Sequence, residues 1–278
     1  MTAMNSFRDT MTMFRRDSLH ALRNPIFMVS GLLTPVFLLL VFDGVFGGAM
    51  SKALGSGAAA LPYIDYITPG VILMAVGSAV SATAINVNID KGEGIFARFR
   101  TMGIARTSVL TGQVIGSVIR TLVGILIVFG LALLLGFRTT AGPVQLLEAL
   151  AVVVMLTVAL TWLGVAIGLL SSSVAGANSL ALIPQFLPLI SSAFVPTDSM
   201  SVGVRWFAEN QPYTPVIETL RGLLIGAPVG YHVALAIGWC AVIGVSGYLW
   251  ARHLYNRDPS PKAGPTGTFE RQRRAAAR

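Results

Sequence analysis

Residues 26–46, 67–89, 113–137, 144–170, 177–195 and 232–250 each stay apolar almost throughout, with short polar segments between them. At ~1.5 Å per residue, a helix of about 20 such residues crosses the roughly 30 Å hydrocarbon core of a bilayer. The pattern therefore predicts six membrane spans. The first is too long for the apolar region of a cleaved signal peptide and lacks a small-residue cleavage site, so it is expected to be an uncleaved anchor.

The segments outside the spans have patterns of their own. Before the first span, Met4, Phe7, Met11, Phe14, Ala21 and Leu22 fall on one helical face and Asp9, Arg16 and Arg23 on the other, which predicts an amphipathic helix over 1–25 lying in the interface. A cytoplasmic helix packed on another protein would share that pattern. Asn24-Pro25 ends the helix and turns the chain into the bilayer. In 196–230, Val216, Ile217, Leu220, Leu223 and Leu224 form an apolar stripe opened by Thr214-Pro215 and closed by Gly226. This predicts a short helix dipping into the outer leaflet. Trp206 and Tyr213 there suit an interfacial aromatic belt.

The stretch DKGEGIFARFR, residues 90–100, is dense in charge, yet Ile95, Phe96, Phe99 and Met102 recur at helical spacing. They give a short helix one apolar face, while Glu93 and Arg98 project elsewhere and Gly92 and Gly94 let the chain turn out of the second span. Beyond residue 254, Pro, Gly and charge dominate, which predicts a disordered basic tail over 255–278.

Composition adds the solvent. Of 278 residues 54% are hydrophobic and 12% charged, and mean hydropathy is +0.72, far above a soluble domain. This is an all-α integral membrane protein. Arg8, Arg15, Arg16 and Arg23, then Lys91, Arg98, Arg100 and Arg106, then the seven basic residues after the sixth span all lie on one side of a six-span topology. The alternate segments hold only Lys52, Arg138, Arg205 and Arg221. Basic loops stay inside, so both termini are expected in the cytoplasm of a prokaryotic plasma or inner membrane. The formal charge of +8 thus describes a face that meets anionic lipid, and nucleic acid is not an expected partner.

Charge within or beside the spans is limited to Asp43, Arg120 and Glu148. Hydrolysis in a bilayer needs clustered Glu, Asp or His as base or metal ligands, so neither a catalytic site nor a metal site is expected. Arg120 lies about two turns inside the cytoplasmic face, where it serves function or snorkels back as an anchor. Cys240, the single cysteine, excludes an internal disulfide and reads as a small packing residue. The dipeptide Gly-Lys is absent, so the chain carries no phosphate-binding loop of the Gly-x-x-x-x-Gly-Lys-Ser/Thr kind. If it moves something uphill, energy enters from a separate subunit, and the helix over 90–106 suits that contact. In the fifth span Asn178, Gln185 and Ser192 recur every seven residues near one face, with Pro184 and Pro188 between them. These either bond to a neighbouring helix or line a transport path, with Thr34, Ser78 and Ser81 as weaker candidates.

The run from Asp90 to Arg106, continued by TSVLTGQVIGSVIRTLVGILIVFGLALLLGF, resembles the integral membrane subunit of type-2 ABC exporters, in particular the daunorubicin-resistance-like drug and lipid permeases. In that family an acidic residue, a Gly and an Arg-aromatic-Arg cluster lead into a Pro-x-x-Arg turn before the third span. Glu93, Gly94, Arg98, Phe99, Arg100 and Arg106 fit, with Gly103 standing where Pro is usual. SSAFVPTDSM and ENQPYTPVIETLRGLLIG are similar to the family's stretch after the fifth span.

The resemblance implies a six-span domain over 26–254, a coupling helix at 90–106 (Glu93, Phe96, Arg98, Phe99, Arg100, Arg106), and outward re-entrant half-helices before the sixth span. It makes 196–230 an external gate, with Trp206, Tyr213, Glu218 and Arg221 as gate candidates. It implies two permeases, copies or paralogues, with two ABC ATPase subunits that use ATP and Mg, no cofactor being bound by this chain. The expected function is export of a hydrophobic or amphipathic drug, antibiotic or lipid-like compound. The alternative is a secondary carrier or a non-transporting scaffold. A carrier is expected to show an internal repeat and paired broken helices, and residues 26–137 and 144–250 show no convincing repeat.

Overall fold

The computed structural model describes residues 25–54, 62–96, 106–226 and 229–257. The interfacial helix expected before residue 25, the expected coupling residues Arg98, Phe99 and Arg100, the turn expected at Gly103 and the tail from residue 258 lie outside the described residues. Every regular element among the described residues is helical. α1 (Pro25–Val41) passes through one π turn, Phe42–Phe46, into α2 (Gly47–Leu54). Then come α3 (Tyr63–Gly92), α4 (Arg106–Leu134), α5 (Pro143–Leu170), α6 (Val174–Phe186), α7 (Val202–Asn210), α8 (Tyr213–Ile225) and α9 (His232–Arg257).

Among the described residues, five helical stretches are long and apolar enough to cross a membrane: Gly31–Ser51, α3, Leu110–Leu134 within α4, α5 and α9. They follow the first four apolar stretches and the last. α3 starts before the expected residue 67 because its polar first turn finds partners inside the protein rather than lipid. Asp65, for example, is buried and accepts from the Arg138 backbone N–H at 3.0 Å.

The fifth apolar stretch behaves differently from the single span expected over 177–195. α6 stops at Phe186, tightens into one 3-10 turn, Leu187–Ile190, and gives way to turns. Pro184 and Pro188 cause this, since each lacks an N–H and leaves the carbonyl four residues earlier without its helical partner. The apolar helix over Val174–Ile190 is therefore shorter than the other five.

α3 is the axis of the bundle, with 78% of its apolar window buried by the rest of the chain against 17% for α9. Lipid offers no hydrophobic drive between helices, so close packing of backbones carries the association. Glycine makes that possible here. A Cβ on Gly168 of α5 would stand 2.6 Å from the Ala84 carbonyl of α3, and one on Gly247 of α9 2.9 Å from the Leu163 nitrogen of α5. α6 crosses α3 in the same way, its Gln185 backbone lying against Gly77.

The helix ends are closed locally. Past α4, Gly136 adopts a φ of 109°, Gly136 N–H reaches the Leu133 carbonyl and Phe137 N–H the Ala132 carbonyl, a Schellman arrangement that uses up the last carbonyls of the helix. Phe137 then meets Phe129 edge-on at 5.6 Å. The following loop caps α8: Thr140 N–H and Thr139 Oγ1 both donate to the Leu224 carbonyl. α8 ends at Gly226 with a φ of 75°, as its sequence predicts. Its stripe Val216, Ile217, Leu220, Leu223 and Leu224 is wholly buried, turned inward on α3, α5 and α9.

Candidate functional site

A cavity of about 90 Å³ opens between α1, α3 and α4. Ala75, Ala79 and Ala82 on α3 and Gly31 on α1 leave the space, because side chains this small cannot fill the gap between three helices. Ser78, Thr83 and Asn86 from α3 and Ser117, Arg120 and Thr121 from α4 put polar groups on its wall. Several hydroxyls are held by their own helices: Ser78 Oγ donates to the Met74 carbonyl at 3.0 Å and Thr121 Oγ1 to the Ser117 carbonyl at 2.8 Å. Their lone pairs stay available as acceptors. The Arg120 guanidinium donates to Ser117 Oγ at 3.0 Å, and that oxygen shares a second hydrogen bond of 3.0 Å with Thr83 Oγ1. Arg120 stands ten residues past the start of the Leu110–Leu134 span, about 15 Å along its axis, so it is nearer the middle than the two turns expected.

The C-terminal end of α3 is bound to α5. Asn88 Nδ2 donates to the Gly168 and Ser171 carbonyls at 3.1 and 2.8 Å, and Lys91 Nζ to the Leu169 carbonyl at 2.6 Å. These are the carbonyls that the last turn of α5 leaves without helical partners, and a cation there also complements the helix dipole. Asp90 accepts from the Gln113 side chain of α4. Beyond Gly94, with a φ of 69°, Phe96 is buried among Val87, Leu110, Val165 and Ala251, its ring edge-on to Tyr255 of α9 at 5.5 Å. Phe96 was expected on a face offered to another subunit; it packs within this chain. Glu93 is exposed at the α3 terminus, and Arg106 is the first residue of α4.

At the other end of α3, Arg221 of α8 is buried. It pairs with Glu218 at 2.7 Å, lies 3.8 Å over the Tyr66 ring, and donates to the Ser192 and Tyr66 carbonyls at 2.8 and 3.3 Å. A planar guanidinium can serve carbonyl, carboxylate and ring at once. Tyr213 is also buried, whereas Trp206 is 69% exposed. On the surface of α7, Glu209 at 2.7 Å and then Asp198 at 2.8 Å push the Arg205 pKa further up.

The structure does not gather the path candidates into one place. Ser78 lines the cavity. Ser81 instead donates to Asn178 Oδ1 at 2.7 Å, a bond that fastens α6 to α3. Gln185 is buried against α3, Ser192 contributes its carbonyl to Arg221, and Thr34 is half-buried on α1. Arg120, Thr83 and Ser117 form the polar wall that sequence reasoning did not assemble, and Asp65 was missed altogether. Asp65 has a local signal, an acid in the first turn of an apolar helix. The Ser117 to Thr83 pairing has none, because the two residues lie on different helices.

Comparison with known proteins fits this architecture. Residues 8–225 match the family described as ABC-2 type transporter. The chain is 28% identical over 216 residues to the daunorubicin resistance ABC transporter permease protein DrrB1 of Streptomyces coeruleorubidus, covering 77% of this chain and 74% of that one. It is 25% identical over 226 residues to the probable doxorubicin resistance ABC transporter permease protein DrrC of Mycobacterium tuberculosis, covering 80% and 79%. A match of 27% over 193 residues reaches ABC transporter G family member 20 of Dictyostelium discoideum, 67% of this chain but 25% of that protein. With a family match across most of its length and five helices built to cross a bilayer, the chain is a multi-pass membrane protein that belongs to the ABC-2 type transporter family.

Proposed function

We propose that this chain is the permease subunit of an exporter that moves a hydrophobic or amphipathic compound from the cytoplasm or inner leaflet outward, driven by a separate ATPase subunit. The observation that carries the reading is a polar-walled cavity halfway along α4, in a family whose relatives here are drug-resistance permeases. A mildly polar cavity between tightly packed helices gives an amphiphile a way station that lipid does not.

ATP and Mg belong to the partner in this reading, and no cofactor sits on this chain. The partner docks on the segment after α3, through Phe99 and the rim residues Glu93, Arg98, Arg100 and Arg106. Phe96 has a transmitting role: its packing on Val87, Val165 and Tyr255 carries a push on the segment to α3, α5 and α9 together. Two permeases, copies or paralogues, enclose the path, with membrane lipid outside and both termini in the cytoplasm. The helices α7 and α8, with Trp206, Tyr213, Glu218 and Arg221, form the external gate, and Arg221 latches it to α3.

The test is transport by inside-out vesicles from cells that express the chain with its ATPase. ATP-dependent accumulation of a fluorescent anionic lipid supports export. Accumulation driven by a proton gradient without the ATPase would overturn it.

A further inference from the structure

We propose that the cavity between α1, α3 and α4 is a binding site for the anionic headgroup of a single-chain amphiphile, a carboxylate or a phosphate, with Arg120 as its counter-charge. The inference rests on the permease reading only in taking the occupant to be cargo; the chemistry of the site stands on the geometry.

A guanidinium near the middle of a span is expensive to hold there, and it is kept where it meets a polar cavity. Among the described residues of the cavity wall, Arg120 is the charged one. One of its terminal nitrogens is engaged with Ser117 Oγ, an oxygen already fixed by Thr83. That bond orients the planar group. A guanidinium has five N–H donors, and its fork matches the paired oxygens of a carboxylate or phosphate better than any neutral acceptor. The Asn86 amide lies on the same wall and carries N–H donors that could complete a headgroup's bonds. The described lining holds no acid, so a cationic headgroup would find no counter-charge in it and would meet Arg120 instead.

The remaining surface fits a tail. Leu32, Ala75, Ala79 and Gly124 are apolar, and Leu32 reaches Gly124 so closely that a Cβ there would stand 2.7 Å from its Cδ2. At about 90 Å³ the space holds a headgroup and not a whole lipid. The chain of the amphiphile would lie along α1 and α4, which expose Leu33, Ile119 and Val123.

The test uses the full-length protein in nanodiscs of phosphatidylcholine, with cis-parinaric acid and its methyl ester as probes and energy transfer from the tryptophans as the signal. Saturable binding of the acid and not the ester is expected. Arg120→Gln should weaken the acid at least about tenfold, the scale of one lost charge-assisted contact, and Arg120→Lys, which restores the charge without the fork, should recover only part of it. Ser78→Leu, which keeps the charge and fills the cavity, should also abolish binding. Displacement by oleate but not by phosphatidylglycerol assigns the site to cargo, and displacement by both assigns it to resident anionic lipid. Equal binding of acid and ester by the wild-type protein, or wild-type affinity in Arg120→Gln, overturns the proposal. Neither ATP nor a partner enters this measurement, so its failure leaves the permease reading intact. Loss of ATP-driven transport with binding preserved would strike that reading alone.

Discussion

The Tyr213 hydroxyl donates to the Pro184 carbonyl across 2.7 Å, tying α8 to the interrupted helix α6. The carbonyl is available because Pro188, four residues on, has no N–H to give it. One aromatic residue thus repairs a break that a proline makes in another helix.

Tyr213→Phe removes that hydroxyl and leaves a buried carbonyl unpaired, at a cost of about 1–3 kcal/mol. Cys240, buried and the single cysteine, reports it directly. The temperature at which a thiol-reactive dye labels Cys240 should fall by several degrees, and an unchanged labelling curve would show that the bond carries no weight.

Arg221 joins three elements, so its loss should be felt more widely. Arg221→Met strands Glu218, and roughly 2–4 kcal/mol is expected, below the full cost of breaking a buried pair because Glu218 keeps 29% exposure. Arg221→Lys should recover less than half of that loss, since an ammonium cannot stack on Tyr66 while reaching two carbonyls. Equal stability of the lysine and arginine forms would reduce the latch to a simple charge.

The two phenylalanines of the proposed coupling segment should part company. Phe96→Ala empties a place in the packed cluster around Tyr255 and should destabilise the isolated permease by about 3–5 kcal/mol. Phe99→Ala should leave the melting of the isolated permease unchanged and cut co-purification with the ATPase subunit by about tenfold or more, as loss of a buried aromatic anchor does. Wild-type recovery of the ATPase with Phe99→Ala would remove Phe99 from the interface.

Orientation has its own check. Val202 is 87% exposed at the start of α7. In a Cys240→Ala background, Val202→Cys should react with an impermeant thiol reagent added to intact cells, and Lys262→Cys should react only after lysis. The opposite result would invert the topology.

Much of the helical order is legible from residues 26 to 250 because a bilayer permits few ways to satisfy a backbone. Once a stretch is long and apolar, a helix follows without knowledge of its neighbours. The close of α8 at Gly226 and the turn at Gly94 are legible for a similar reason, since a left-handed φ costs glycine little. The interruption after Phe186 could be suspected from Pro184 and Pro188, yet how far the helix survives them depends on partners such as Tyr213 that no local pattern names.

What the sequence determined by itself, then, is the solvent and the order of the long apolar helices, because each follows from residues close together in the chain. What only the tertiary structure decided is which polar groups meet. Ser81 finds Asn178 ninety-seven residues away, Arg221 finds Tyr66 across 155, and Thr83 finds Ser117 to complete the wall beside Arg120. Periodicity assigns a residue to a face of its own helix, but the neighbour of that face is chosen by packing. In this bundle the packing turns on small residues that let α3, α5, α6 and α9 approach until backbones nearly touch.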